Sequence, residues 1–578
     1  MCGICAYIGY NNSFIKGYIG ISKLLNRGYD SQGCVTIVYD SNNMPMFLTH
    51  KYASDNIEMA DAKILRHQHE HIGNISIFHS RWRTTGGKTN KNSHPHADTY
   101  NKISLVHNGI IENYLELKHF LEQNNYTFKS ETDTEVIVNL ISYYYLNNNN
   151  ITHSIKLALE KLEGTYALVI ACIDTPDSIY CVRHGSPLLI GFSPNKSFCM
   201  VASEHYGFDK NITSYICTNI NDIITLSKSN GIIEFDSNEK VVYNQKTINL
   251  MNEDQSCQPY AHWTLKEINE QTTSCLNALG RGGRLDEYGI VKLGGFEDHV
   301  EELKKCKNLI MLACGTSYHS ALLSTHIFKD FDIFNTIQVI DGAEFSLSDI
   351  PKIGKTCIIF ISQSGETKDL HICLEMCKDA RDNLLYDLIC VGVINVVDSL
   401  IAREVDCGVY LHCGREFAVA STKAFTSQCI VLTLIAMWFD QNKNKYKDVH
   451  KEYATKLLRL PIDIKSTIEL NESKCKQLAM LLENKKSIFL LGRGKFEAIA
   501  KEGSLKLKEI GYVHAEGYSS LALKHGPYAL LDEGYPVILL TPSNKDFARN
   551  QSTLDELKGR DAFVIGISDR LLNDKYDM

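Results

Sequence analysis

No stretch of this chain is apolar for long enough to cross a bilayer. The run CIVLTLIAMWF beginning at Cys429 is far short of the roughly 20 residues that a membrane helix needs. A basic excess is missing too. Lys and Arg number 60 against 68 Asp and Glu, a formal net charge of −8, which gives no reason to expect nucleic acid or an anionic membrane as partner. Met1 is followed at once by Cys-Gly-Ile-Cys, without the basic stretch and apolar core of a secretory leader. A cytoplasmic location is expected. The 19 cysteines are scattered along the chain, which points to free thiols rather than a disulfide framework.

What is present is globular in character: 44% hydrophobic and 22% charged residues. At 578 residues the chain exceeds one hydrophobic core, and about three or four domains are expected. Up to about Phe235, short β-branched segments such as 104–107 and 167–170 alternate with helical stretches such as 134–145, which the polar run 147–150 ends. This mixed pattern fits a layered sandwich with many antiparallel strands. A less hydrophobic stretch, about 237–302, carries a predicted helix over 264–279 and reads as a connector. Beyond it, strands predicted at 309–313, 356–361, 388–393 and 409–412 alternate with helices, the order of a doubly wound parallel sheet.

That pattern recurs. Residues 488–494 (IFLLGRG) resemble 309–315 (LIMLACG), each before a predicted helix; 537–541 matches 357–362, and 562–568 matches 388–395. The later part is therefore an internal duplication of a doubly wound α/β unit. The first copy continues into another strand and a helix over 421–439. The second reaches Met578 about one strand and one helix sooner, so it is expected to be incomplete at its C-terminal end.

Cys2 directly follows Met1, and a small second residue normally permits removal of the methionine. The freed α-amine, with a pKa of about 8, would lie beside its own thiol. One residue would then supply nucleophile and general base. Cys2 and Cys5 also form a lone C-x-x-C, but no second pair lies at zinc-site spacing. Three further segments stand out: Arg81-Trp82, His107-Asn108-Gly109, and Asp133 in the run SETDTE that precedes a helix. Singly each has an ordinary reading: Arg81 in a surface ion pair, Asn108-Gly109 in a hairpin turn, Asp133 capping a helix.

Taken in order, the four segments resemble the signature of the class II glutamine amidotransferases, an N-terminal-nucleophile family. The resemblance implies that Arg81 clamps the carboxylate of glutamine, a bidentate task suited to a guanidinium. It gives Asp133 the α-ammonium, Asn108 and the Gly109 amide the oxyanion hole, and Trp82 the gate to an ammonia passage. Thr85 stands where that family often has His.

Cys314-Gly315-Thr316-Ser317 and Ser362-Gln363-Ser364-Gly-Glu-Thr367 each sit where a predicted parallel strand meets a helix. Such loops present hydroxyls and unpaired N–H groups to an anion, at the carboxyl ends of strands where doubly wound sheets bind ligands. Simple helix capping is the plainer reading of either loop alone. In the second copy, Glu502, Lys506 and Glu509 are spaced to share one helical face, which spacing alone reads as solvated. His525 follows in the run LKHGP. Decoys include Gly86-Gly87-Lys88-Thr89, half a P-loop with Trp82 where its first glycine should be, and Gly492-Arg-Gly494, with Glu497 in place of a third glycine. His67, His69 and His71 alternate without a nearby Cys or carboxylate cluster, so no metal is expected.

The serine-rich loops, with Val419-Ala-Ser421-Thr-Lys-Ala-Phe425, resemble the sugar isomerase (SIS) domain. With the amidotransferase segments, the whole chain resembles the glutamine–fructose-6-phosphate aminotransferase family. The resemblance implies an αββα sandwich followed by two parallel-sheet SIS domains, with segments at 2–227, 228–298 (connector), 299–445 and 474–578. It places sugar phosphate against Cys314, Gly315, Thr316, Ser317, Ser362, Gln363, Ser364, Thr367, Val419, Ser421 and Glu502. Glu509 would move a proton between C1 and C2, Lys506 would stabilise the enolate oxygen, and His525, borrowed from a neighbouring subunit, would open the ring. The expected activity is transfer of the glutamine amide nitrogen to D-fructose 6-phosphate, giving D-glucosamine 6-phosphate, the entry to amino-sugar synthesis, with internally channelled ammonia. No metal or organic cofactor is expected, and a homodimer is. The rivals are an uncoupled glutaminase, a deglycase working on another sugar phosphate, and a non-catalytic sugar-phosphate binder. Phosphoribosyl-pyrophosphate amidotransferases share the N-terminal chemistry, but their acidic ribose-binding signature is absent.

Overall fold

The computed structural model describes every residue except 1, 11, 29, 55–56, 84, 249–255, 398, 444–448 and 573, and leaves out the side chains of 26, 57 and 58. The expected segment end at 445 lies outside the described residues. Two compact units are present, Met1–Ser256 and Cys257–Met578.

The first unit contains two antiparallel sheets. Strands β1 (Gly3–Ile8), β2 (Ser31–Tyr39), β3 (Pro45–Ala53) and β4 (Ile75–Arg81) belong to an eight-stranded sheet in the spatial order β1-β4-β2-β3, with β3 at its edge. Strands β5 (Ile103–Ile111) and β6 (Gly164–Cys172) are neighbours in a six-stranded sheet. Side chains alternate along each strand with period two, and the packing follows that period. Val106, Ala167 and Val169 meet Ile4, Ala6, Ile75 and Ile77 of the first sheet. Leu105, Leu168 and Ile170 point the other way, onto a helix with Val136, Leu140 and Ile141. The outer face of the first sheet packs Cys5, Tyr7 and Phe78 against Phe14 and Ile21. Naming helices α1 (Ser13–Ser22), α2 (Ile57–Arg66) and α3 (Asp133–Asn148) completes an αββα arrangement. Full burial of each such aliphatic or aromatic side chain contributes about 1.5–3 kcal/mol.

The strands expected at 104–107 and 167–170 are the middles of β5 and β6. Asn149, left-handed at φ 55°, ends α3, within the polar run that was expected to stop it. The first unit reaches further than the pattern suggested. Strand Ile224–Ser229 spans position 227 and pairs with Ile232–Ser237, and Lys246–Thr247 pairs with Ser214–Tyr215. Residues 228–229, 232–237 and 246–247, within the expected connector, are therefore strands of the first unit's sheets.

In the second unit, β7 (Asn308–Ala313), β8 (Thr336–Asp341), β9 (Thr356–Ser362), β10 (Leu388–Ile394) and β11 (Cys407–Tyr410) form a parallel sheet in the order β8-β7-β9-β10-β11. Strands β12 (Ser487–Gly492), β13 (His514–Ser519), β14 (Pro536–Leu540) and β15 (Phe563–Ile567) repeat it as β13-β12-β14-β15. The duplication is thus visible in the topology, with β11 having no counterpart among the described residues. Strands β7, β9 and β10 are buried along their whole length, as parallel strands covered on both faces must be. The helices that matter below are α4 (Trp263–Ala278), α5 (Thr316–Phe331), α6 (Lys368–Asp382), α7 (Lys423–Lys443) and α8 (Lys495–Gly511). The apolar run at 429–439 lies within α7 and is buried almost all round. Among the described residues no helix is long and apolar enough to cross a membrane.

Candidate functional site

Antiparallel pairing of β1 with β4 sets Gly3 opposite Ser80, which brings Cys2 beside Arg81 and Trp82. The backbone N–H of Trp82 donates to Cys2 Sγ at 3.3 Å, and Sγ lies 3.4 Å from the Trp82 carbonyl. A side chain at position 3 would not fit here, since its Cβ would stand 2.5 Å from Ser80 Oγ. Burial raises the pKa of the Cys2 thiol, while the Trp82 N–H and the charges of Arg81 and Arg27 pull it down.

Asn108 arrives from β5 and is buried. Its Nδ2 donates to the Cys2 carbonyl at 3.0 Å and to Ser203 Oγ at 2.9 Å. Its Oδ1 lies 3.1 Å from His79 Nε2, which also faces the His107 carbonyl at 3.0 Å. Burial drives the His79 pKa down to about 3. The neutral ring therefore donates from Nε2 to both oxygens, which fixes the direction in which the Asn108 amide presents its N–H groups. Gly109 has φ 142°, and a Cβ there would meet the Thr165 carbonyl oxygen at 2.0 Å. Only glycine fits both restraints.

Arg81 is buried, with its guanidinium turned to the carbonyls of Thr85 and Gly87. Asp133 opens α3, where the helix dipole favours a carboxylate. Its Oδ2 accepts the Ile111 N–H at 2.9 Å and lies 3.9 Å from His107 Nδ1. Trp82 is largely exposed at 41%. Sequence reasoning did not single out Arg27, His79 or Ser203. Arg27 Nε donates to the Cys2 carbonyl at 3.0 Å and its guanidinium pairs with Glu204. Ser203 Oγ also takes the Ile4 N–H at 2.8 Å. The one signal for Arg27 is its Arg-Gly-x-Asp-Ser run in a loop; His79 and Ser203 carry none.

In the second unit, β7 and β9 are adjacent and parallel, with Leu312 opposite Phe360. The loops 314–317 and 362–367 therefore leave neighbouring strand ends, each leading into a helix N-terminus, α5 or α6. Gly315 caps α5 at φ 57°. Ser317 Oγ takes a hydrogen bond from Gln428 Nε2 at 2.8 Å. Ser362 Oγ receives the Gly365 N–H at 2.9 Å and lies 3.0 Å from Thr367 Oγ1; Ser364 Oγ takes the Glu366 N–H at 3.1 Å. Gln363 is only partly buried. Burial moves the neighbouring Cys314 thiol up to about 11, so it stays protonated. The arrangement sets hydroxyls and amides at two neighbouring helix N-termini, suited to a phosphate.

Helix α8 of the second copy docks on α5 of the first. Lys506 Nζ donates to Thr316 Oγ1 at 2.9 Å and pairs with Glu509 at 2.6 Å and Glu502 at 3.3 Å. Thr316 Oγ1 donates to Glu502 at 3.0 Å, and His319 Nδ1 meets the other Glu502 oxygen at 2.8 Å. The expectation from spacing alone, a solvated charged face, fails. Glu502 is 6% exposed. His319, which the sequence did not flag, belongs to this network.

Ser421 donates to Glu416 at 2.7 Å, and Glu416 also accepts the Thr422 and Ala424 N–H groups; Val419 stands half exposed beside them. Glu267 of α4 accepts the Phe417 and Ala418 N–H groups at 2.5 and 3.1 Å. Burial raises its pKa to about 7. His525 is exposed in a short turn, Leu523–His525, and is not joined to the Glu502–Lys506–Glu509 set by any contact among the described residues.

Residues 79–210 match the glutamine amidotransferase domain family, and 302–438 and 481–575 match the SIS domain family. A probable glutamine–fructose-6-phosphate aminotransferase (isomerizing) of Acanthamoeba polyphaga mimivirus is 39% identical over 99% of this chain and 91% of its own length. The corresponding aminotransferase of Clostridium tetani is 36% identical over 98% and 90%, and glutamine–fructose-6-phosphate aminotransferase (isomerizing) 2 of Homo sapiens is 33% identical over 97% and 90%. The solved C-terminal domain of the Francisella tularensis glucosamine–fructose-6-phosphate aminotransferase is 30% identical, with a TM-score of 0.51 over 56% of this chain and 89% of that one. With relatives this similar along almost its whole length, and with an αββα unit and a duplicated parallel unit in the matching places, this chain belongs to the glutamine–fructose-6-phosphate aminotransferase (isomerizing) family.

Proposed function

We infer that this chain makes D-glucosamine 6-phosphate and L-glutamate from D-fructose 6-phosphate and L-glutamine. The observation that carries the reading is the network of Lys506, Glu502 and Glu509 on Thr316, which sets acid and base groups of one SIS copy at the phosphate loop of the other.

In the first unit, the Cys2 thiolate attacks the glutamine carboxamide. The base is its own α-amine, exposed once Met1 is removed. The tetrahedral oxyanion is met by Asn108 Nδ2 and the Gly109 N–H. Ammonia leaves, and water hydrolyses the thioester to glutamate. Arg81 and Asp133 hold the substrate's carboxylate and ammonium, and Trp82 closes over it. In the second unit, Ser317, Ser362, Gln363, Ser364 and Thr367 hold the phosphate, with Val419 and Ser421 along the sugar. His525 of a second copy opens the ring by proton transfer, which makes the working enzyme a homodimer. Ammonia condenses with the C2 carbonyl and water leaves. Glu509 then takes the C1 proton and returns it at C2, while Lys506 balances charge on the oxygen. The residues named do all the proton transfers without a metal or organic cofactor. Ammonia passes from one centre to the other without mixing with solvent.

The test measures glutamate and glucosamine 6-phosphate separately in one reaction. Equal yields support the reading. Glutamate without amino sugar would instead make the chain a glutaminase uncoupled from amination, and sugar-phosphate binding without either product would make it a binding protein.

A further inference from the structure

On the edge strand β3, His50 gathers with His67 and Glu70 from the turn after α2. One ligand atom of each lies within 4.8 Å of the others. The two imidazoles stack with centroids 3.7 Å apart and planes 14° from parallel, so one ring must turn about its Cβ–Cγ bond before both nitrogens face a single ion.

A chain of single-proton donors fixes the tautomer of His50. Ser13 Oγ donates its only proton to the Gly73 carbonyl at 2.7 Å. The contact of 2.8 Å between Ser13 and Ser76 must therefore use the Ser76 proton. The Ser76–Thr36 contact, also 2.8 Å, must then use the Thr36 proton. Thr36 Oγ1 is left to accept from His71 Nδ1, again at 2.8 Å. His71 is 3% exposed, where an unpaired imidazolium would be costly. Its Nε2 is therefore a lone pair, and His50 Nδ1, 2.9 Å away, carries the proton between them. In the neutral ring the Nε2 of His50 is then bare. It points at a Glu70 carboxylate oxygen 3.8 Å away and has no hydrogen-bond donor among the described residues. Two electron-rich atoms face each other with no proton between them. Their spacing exceeds a hydrogen bond and approaches the ~3.4 Å between ligands of a tetrahedral zinc with bonds near 2.05 Å.

We propose that His50 Nε2, His67 Nδ1 and the Glu70 carboxylate bind a divalent transition metal of the zinc class, with His71 holding His50 in the ligating tautomer. Glu70 now takes the His67 Nδ1 proton in a hydrogen bond of 2.7 Å, while His67 Nε2 faces Tyr52 Oη at 2.7 Å. Metal binding moves that proton to Nε2, from which it donates to Tyr52, so the tautomer shifts without net proton release. The fourth position stays open to water. The ion ties the edge strand β3 to the turn that leads into β4. The alternation of His67, His69 and His71, from which no metal was expected, concealed the set: His69 is exposed and takes no part.

The experiment titrates the full-length chain with Co²⁺ and records its visible spectrum, with Zn²⁺ as competitor. One Co²⁺ per chain with nitrogen and oxygen ligation is expected, displaced by Zn²⁺. Loss of a direct ligand in Glu70→Gln or His50→Asn should weaken binding by at least the ~10–100-fold seen when an outer hydrogen-bond partner is removed, while His69→Ala binds as the parent does. Glu70 is half exposed, so its substitution leaves the fold intact. Absence of binding, an intense thiolate-to-cobalt band, or unchanged affinity in Glu70→Gln would each overturn the proposal.

Discussion

Asn108 shows how much chemistry can rest on one side chain. Its two N–H groups are aimed by a neutral His79 on one side and engaged by Ser203 and the Cys2 carbonyl on the other. If it stabilises the oxyanion, Asn108→Ala should lower kcat for glutaminase by about 10²–10³, with KM for glutamine nearly unchanged; steady-state kinetics with glutamine alone checks this. Glu267 makes a second prediction at this scale. Its pKa is raised from 4.5 to about 7 by burial, so the folded protein holds a proton there that the unfolded chain releases. Stability from this group is greatest below pH 4.5 and is lost as pH rises to about 7, a change of about 3 kcal/mol at 1.36 kcal/mol per unit. Glu267→Gln should flatten the decline in thermal midpoint between pH 5 and 8; an unchanged slope would count against this. Cys2, Asn108 and Asp133 could be proposed from sequence because each lies in a short local motif. It could not reach His79 or Glu267, whose partners come from distant segments.

Among the elements, α5 and α8 form the joint on which the proposed sugar site depends. Thr316 Oγ1 both accepts from Lys506 and donates to Glu502. Thr316→Val removes both bonds at nearly constant volume. It should destabilise the second unit by about 1–3 kcal/mol and lower amino-sugar synthesis while leaving glutaminase activity intact, measured by denaturation and by separate product assays. Strands β7, β9 and β10, buried on both faces, were legible in the sequence as apolar runs. The edge strands β8 and β13 went unseen because β8 has no fully buried residue and β13 only one, which erases the apolar run. Edge strand Lys246–Thr247 of the first unit, with neither residue buried, read as connector for a similar reason.

At the level of the whole molecule, two units of unrelated architecture carry two halves of one transfer. The duplication was legible because strand, glycine turn and helix recur in the same order, and the topology repeats it. What spacing could not show is that Glu502 is buried and that it and Lys506 bond to Thr316 of the first copy, with Lys506 also paired to Glu509. The account's central claim is that nitrogen freed at Cys2 reaches the sugar held by the second unit. The most direct test supplies glutamine labelled with ¹⁵N at its amide, D-fructose 6-phosphate, and excess unlabelled ammonium, and reads the isotope in the product by mass spectrometry. Glucosamine 6-phosphate carrying ¹⁵N is the predicted result; product carrying solvent nitrogen, or labelled ammonia accumulating with no amino sugar, would contradict it.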